Sequence, residues 1–315
     1  MEYGSHSRLM ASGSLSEDLA GRIAVDDWAR DNCIDYTNPA FAVGSTDRDH
    51  ESHTIRAKLL WQPQEIPGFQ GKLTFLHGMT NRPNWEAVTE PYEDLESATA
   101  SNPSWRLRTN TTILDLSHDF GNGWTLFNQL QYSDIRIKRS TEPVNSGTVV
   151  LDQDVTSNET RATFGTPEDR ISGVTGLFVS HTDSDELLDY RGTTPYDDRK
   201  DSLGLFAEAT WRLADRRSLT GGLRYQRDDI TRRGVSSFTP NLLDDDESFD
   251  AWLPKLALAH DLDRSSRIGV MVSKGYNPGG VTLNLTSGEY VPFDAETSWN
   301  SEISAASGCS TTGWN

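Results

Sequence analysis

The chain has 315 residues, of which 35% are hydrophobic, and a formal net charge of −18. The sequence pI of about 4.7 argues against nucleic acid as a partner, because phosphate binding needs clustered Lys and Arg. No run of about 18 apolar residues exists, so no transmembrane helix is available, but the mean hydropathy of −0.59 is compatible with a spanning barrel, whose strands spend half their side chains on a polar lumen.

The N-terminal MEYGSHSRLMASGS has neither the basic nor the apolar region of a secretory signal. Residues 9–15 read as a short strand, followed by a turn near 16–20. In residues 21–35, Ile23 and Val25 alternate against Arg22, Ala24 and Asp26. The same two-residue period returns at 54–61 through Ile55, Ala57, Leu59 and Trp61, and at 69–79 through Leu73 and Phe75. Residues 106–120 carry Leu114, Leu116 and Phe120 in phase. Gly121-Asn122-Gly123 then signals a tight hairpin, since both glycines tolerate positive φ. Strands follow at 124–137, 159–165 and 170–181. The clearest is 203–213, with Leu203, Leu205, Ala207, Ala209, Trp211 and Leu213 on one face. Leu219, Leu223 and Tyr225 mark the next strand, and 252–262 the one after it.

Residues 266–285, SRIGVMVSKGYNPGGVTLNL, begin as a strand with Ile268, Val270, Val272 and Tyr276 in phase. They then break at Asn277-Pro278-Gly279-Gly280. Tyr276 and Asn277 read first as a strand exit, and second as contacts for a ligand at a loop mouth. A strand at 297–303 is the last one recognisable. The sum is about thirteen strands without helical periodicity.

Long connections near 36–52, 80–104, 138–157, 183–201, 232–248 and 277–295 alternate with short turns near 16–20, 63–68, 121–123, 166–169, 214–216 and 261–266. That rhythm belongs to outer-membrane barrels, with short turns at one end and long loops at the other. The expected fold is therefore all-β: an antiparallel transmembrane β-barrel, present as an incomplete set of strands. Trp61, Phe69, Phe120, Trp124 and Trp211 gather where strands meet the short turns, which is where a lipid-interface girdle belongs.

Chemistry is sparse. The sequence contains no GxSxG, HExxH, phosphate loop or GxGxxG after a strand, so neither an enzyme nor a cofactor site is expected. Among seven scattered histidines only His50 and His53 lie close, beside Asp47 and Asp49. They are weak candidates for a metal or haem contact, and a solvated loop is the plainer reading. The acidic run at 242–248 lacks spaced calcium ligands and reads as a hydrated loop tip. Cys33 and Cys309 read as incidental thiols.

SKGYNPGG at 273–280, AETSWNSEIS at 295–304 and LGLFAEATWRLADRRSLTGGLRYQRDD at 203–229 resemble barrel strands of TonB-dependent receptors. The resemblance implies a large barrel in the bacterial outer membrane, in contact with its lipid and plugged by an N-terminal domain. It also implies the TonB energy-transducing complex as a partner and a scarce nutrient, such as a ferric siderophore, as the ligand. On this reading residues 1–303 form part of a receptor barrel and 304–315 an aberrant tail. The plug, the TonB box and the closing strands have no counterpart here, so the chain is expected to be a fragment that does not transport alone. A porin-like channel and a soluble secreted carbohydrate-binding β module are the alternatives.

Overall fold

The structure is a computed structural model that describes residues 4–44, 49–142, 146–166, 168–263 and 265–307. Thirteen strands form one sheet: β1 (Gly4–Ser14), β2 (Leu19–Arg30), β3 (His50–Trp61), β4 (Phe69–Pro83), β5 (Ser104–Asp119), β6 (Trp124–Ser140) and β7 (Ser146–Phe164), then β8 (Ile171–Tyr190), β9 (Thr193–Ala214), β10 (Arg217–Val235), β11 (Leu242–Asp261), β12 (Ser266–Asn277) and β13 (Glu296–Ser307). Each pairs antiparallel with the next in the chain, so the sheet is an unbroken meander with β1 and β13 at its two edges. In such a meander alternate connections fall at opposite ends, as the spacing of short and long segments predicts.

The long-connection end differs from expectation in how much of it is strand. Residues 183–201 are a continuation of β8 and β9, joined by the two-residue turn Arg191-Gly192, whose φ values are 55° and 142°. The acidic run at 242–248 lies within β11 rather than at a loop tip, and β7 begins at Ser146 rather than near 159. The segment after β12 folds as a small hairpin, Gly280–Asn284 with Glu289–Phe293. The loops after β2 and β4 bind each other through two short parallel bridges, Asp35–Tyr36 with Glu96–Ser97 and Ala42–Val43 with Ser101–Asn102. Strand β13 runs to Ser307, past the expected end at Ile303. The rest of the tail, with Cys309, lies outside the described residues, as does Asp47.

Among the described residues no second layer covers the sheet. Among the described residues the buried hydrophobic side chains are Ile34, Leu243 and Ala251, while most large apolar side chains are exposed. A water-soluble sandwich would bury one face of each sheet against the other, so the carbohydrate-module reading loses its physical basis. In a single layer, side chains crowd on the concave face and splay on the convex one. Along β9, Leu205, Ala207, Ala209, Trp211 and Leu213 are exposed, whereas Phe206, Glu208, Thr210 and Arg212 are half-buried. The apolar face is thus the convex one. Its apolar run, Leu203 to Leu213, matches the roughly 9–11 residues that a tilted strand needs to cross a bilayer. Above it the convex face of β9 turns polar at Asp201, Arg199 and Asp197, and β9 continues to Thr193.

This sidedness is testable. Ala207→Arg places a charge on the apolar face and should cost about 2–4 kcal/mol of membrane insertion. Thr210→Lys, on the polar face, forfeits one hydroxyl contact to Thr220 at 2.8 Å and should cost about 1 kcal/mol or less. Folding into lipid vesicles measures both, and equal costs would contradict the assignment of faces.

Candidate functional site

The two ends of the sheet carry different chemistry. At the short-turn end the five aromatics singled out from the sequence stand close to strand termini. Trp61 and Phe69 face each other across their turn with ring centroids 5.5 Å apart. Phe120 meets His118 edge-on at 4.6 Å, and the Arg170 guanidinium lies 5.8 Å from the Trp211 ring. Trp124 packs at 5.3 Å on Phe164, the last residue of β7. Pattern reading missed Phe164, although it ends an alternating strand as the others do. Trp61, Phe120, Trp124 and Trp211 are all exposed.

At the long-connection end the polar face forms a cleft. The registers align Gln153, Ser184, Asp198, Arg232 and Asp245 in one row across β7 to β11. Arg232 reaches Glu186 and Asp198, each at 3.4 Å, and its guanidinium carbon lies 4.6 Å from the Tyr196 ring centroid. Burial holds the Asp198 carboxyl above its usual range against the pull of Arg232. The hairpin after β12 forms the opposite wall. Its turn residue Gly288 accepts hydrogen bonds from Thr239 Oγ1 at 2.7 Å and Asn241 Nδ2 at 3.1 Å. Gly279 has no room for a side chain: a Cβ there would collide with the Phe293 carbonyl oxygen and the Phe249 ring. Tyr290, on the second hairpin strand, has its hydroxyl pushed up to about 12 by burial first, with the neighbouring Tyr196 adding to the shift. The cleft between row and hairpin measures about 350 Å³, with Ile230, Val281 and Phe293 as its apolar lining.

Tyr276 and Asn277 lie at the end of β12, beside this region. Pairing of β12 with β11 stops at Ser273 opposite Lys255, yet β12 stays on β13 as far as Asn277. The Tyr276 hydroxyl is buried and interacts electrostatically with Asp228, a carboxylate only 2% exposed. Asn277 is exposed. Both are therefore near the cleft rim, and neither lines the cleft.

His50 and His53 do not form a metal pair. Three residues apart on β3, they point to opposite faces. His50 Nε2 lies 3.3 Å from Glu86 and His53 bonds Asp27. Among the described residues no group of three His, Cys, Asp or Glu side chains could hold a metal ion.

The family model "TonB dependent receptor-like, beta-barrel" matches residues 40–314. The chain belongs to the TonB-dependent receptor β-barrel family. Its place is accordingly the bacterial outer membrane. The pesticin receptor of Yersinia pestis is 29% identical over 119 residues, which is 37% of this chain and 18% of that protein. In fold, the ferric yersiniabactin uptake receptor FyuA of Yersinia pestis superposes with a TM-score of 0.82 at 20% identity, over 98% of this chain and 51% of that one. The siderophore receptor PiuA of Acinetobacter baumannii gives 0.72 at 10% identity, over 96% and 54%. The chain thus spans about half the length of the solved receptors it matches. The family and these neighbours are transport receptors rather than enzymes.

In this TonB-dependent barrel the convex face just above the apolar band carries a charged cluster. His181 bonds Asp201 through Nδ1 at 2.6 Å and Asp183 through Nε2 at 2.8 Å, and Arg199 Nε donates to Asp183 at 3.0 Å. Hydrogen bonds to Asp201 first and Asp183 second hold the imidazole above its ordinary 6.5. Arg199 first and His181 second hold the Asp183 carboxyl below its ordinary 3.8. A raised histidine stabilises fully below 6.5 and loses its contribution as pH rises through its folded value. A lowered aspartate stabilises above 3.8 and loses its contribution as pH falls through its folded value. Protection of the upper β8–β9 hairpin against hydrogen exchange, taken relative to the intrinsic base-catalysed rate, should therefore be greatest between those limits and fall on the alkaline side. His181→Gln should remove the alkaline limb. Protection that rises further as His181 deprotonates would contradict this assignment.

Proposed function

We propose that this chain is a wall segment of an outer-membrane receptor that takes up a scarce nutrient as a ferric chelate, a ferric siderophore being the leading class. The observation that carries the reading is the inverted sheet: its apolar face is exposed and its polar face is turned inward, where it forms the cleft. Family membership and the names of the solved neighbours, which include ferric yersiniabactin, ferric citrate and ferripyoverdine receptors, supply the ligand class. Lipid contacts the Leu203 to Leu213 face. Trp61, Phe69, Phe120, Trp124 and Trp211, joined by Phe164, form the lipid-interface girdle at the short-turn end. A receptor of this kind takes its energy from the TonB complex and needs no catalytic residue of its own. Two unpaired edges in lipid cost several kcal/mol per orphaned backbone group, so the segment works within a longer barrel and does not transport alone.

In the cleft, the apolar wall of Ile230, Val281 and Phe293 would receive the body of the chelate, while Arg232 and the carboxylates would fix its orientation. Replacing the matching segment of the Yersinia pestis ferric yersiniabactin receptor by this chain tests the reading. The chimera should insert and take up radiolabelled iron from at least one chelate among yersiniabactin, citrate and catecholate types. Arg232→Ala should lower that uptake by about tenfold, the effect of losing roughly 1.4 kcal/mol of a charged contact. An inserted chimera that imports none of these chelates would overturn the proposal.

A further inference from the structure

The cleft beside the hairpin carries more negative charge than its own cations balance. On the inner face there, β8 contributes Glu186, β9 Asp198 and Lys200, β10 Asp228 and Arg232, and β11 Asp245 and Glu247. Both cations are taken. Lys200 lies 3.3 Å from the buried Asp228, and Arg232 reaches Glu186 and Asp198, each at 3.4 Å. The hairpin wall does not restore the balance, because residues 279–293 contain no Lys or Arg and their one charged side chain is Glu289.

Asp245 is the carboxylate left over. The register sets it directly opposite Arg232, yet that guanidinium turns the other way, towards β9, and lies 4.6 Å from the Tyr196 ring centroid. Asp245 Oδ2 is closed off from solvent and has no hydrogen-bond partner. Among the described residues no cation stands within ion-pair distance of it. A carboxylate withdrawn from water destabilises the fold unless a cation or donor meets it. Glu247, two residues on along the same face, is exposed and adds its own negative charge. The apolar residues Ile230, Val281 and Phe293 line the same cleft. An alkyl stem would lie along them with a positive head on Asp245, whereas an acidic arm would meet like charges. Among the described residues no three His, Cys, Asp or Glu side chains could hold a metal ion, so the missing charge is that of an organic cation. One enclosed oxygen suits the point charge of an ammonium group better than the planar fork of a guanidinium, which takes both oxygens of a carboxylate.

We propose that Asp245 receives a protonated primary amine carried on an alkyl arm of the chelate, and so sets a preference for amine-bearing chelates. This rests on the cleft being the ligand site of a ferric-chelate receptor. The full chain, reconstituted in phosphatidylcholine vesicles, is equilibrated with the radiolabelled ferric complex of desferrioxamine B, a linear trihydroxamate ending in a primary amine. The N-acetyl form of that complex is run in parallel, and the iron retained on the vesicles is counted. The two complexes share the iron centre, and acetylation removes the positive charge. The amine form should bind about tenfold more tightly, the effect of one charged contact. Asp245→Asn should abolish that preference by weakening the amine form alone, and Asp245→Glu should keep part of it. Asp244→Asn removes an equal charge from the outer face, where Asp244 meets Arg233 at 2.8 Å. It should leave the preference intact, which separates a local contact from the general pull of an acidic chain. Equal binding of the two forms, a preference that persists in Asp245→Asn, its equal loss in Asp244→Asn, or retention of neither complex would each overturn the proposal. Uptake by the chimera is measured with chelates that lack this amine, so the receptor reading stands or falls separately.

Discussion

Backbone hydrogen bonding in lipid is the constraint on which the rest of this structure depends. A strand inside a bilayer has no water to satisfy its N–H and C=O groups, so each must be paired by a neighbouring strand. Consecutive pairing is the simplest solution, and all thirteen strands of the sheet follow it without a crossover. The turn lengths follow from the same constraint. At one end connections need only reverse the chain, as the two residues Asp215 and Arg216 do between β9 and β10. At the other end the strands leave lipid before they turn, and the chain is free to extend. There β8 and β9 run on as a hairpin, and the segment between β12 and β13 folds into one of its own.

Once the backbone is satisfied, side chains decide the direction of each face. Leu205, Ala207, Ala209, Trp211 and Leu213 need no partner in hydrocarbon, so exposure there stabilises rather than destabilises. The opposite face gathers the polar side chains of the TonB-dependent barrel, and their pairing is dense. Thr111 and Ser133 share a hydrogen bond at 2.9 Å, and Ser202 and Gln226 both donate to the buried Asp228.

Much of the fold was legible in the sequence, because a strand in lipid writes its two faces as a strict alternation. Leu203 to Leu213 could be read in register from that alone. The reading failed above the membrane. Along Asp183 to Asp201 both faces are polar, so alternation vanishes and the strands looked like a loop. The remaining signal was Arg191-Gly192, whose positive φ values make a two-residue hairpin turn, and it lacked flanking apolar alternation. The acidic run in β11 was misjudged for the same reason. Asn277-Pro278-Gly279-Gly280 was read correctly as a break, but not as the entry to a hairpin, since the close approach of Gly279 to Phe249 is tertiary. His50 and His53 suggested a pair because spacing in sequence hides which face of a strand a residue occupies. The cleft could not be read at all: its row of Gln153, Ser184, Asp198, Arg232 and Asp245 comes from five strands and exists only through register.

The central claim is that the exposed face of the sheet is its lipid face, and nitroxide scanning along β9 tests it most directly. Single spin labels at each position from 203 to 213, in the chain reconstituted in bilayers, report access to oxygen from lipid and to a polar nickel chelate from water. Oxygen access should peak at 203, 205, 207, 209, 211 and 213, and nickel access at the even positions between them. The opposite phase, or access without a period of two, would contradict the account.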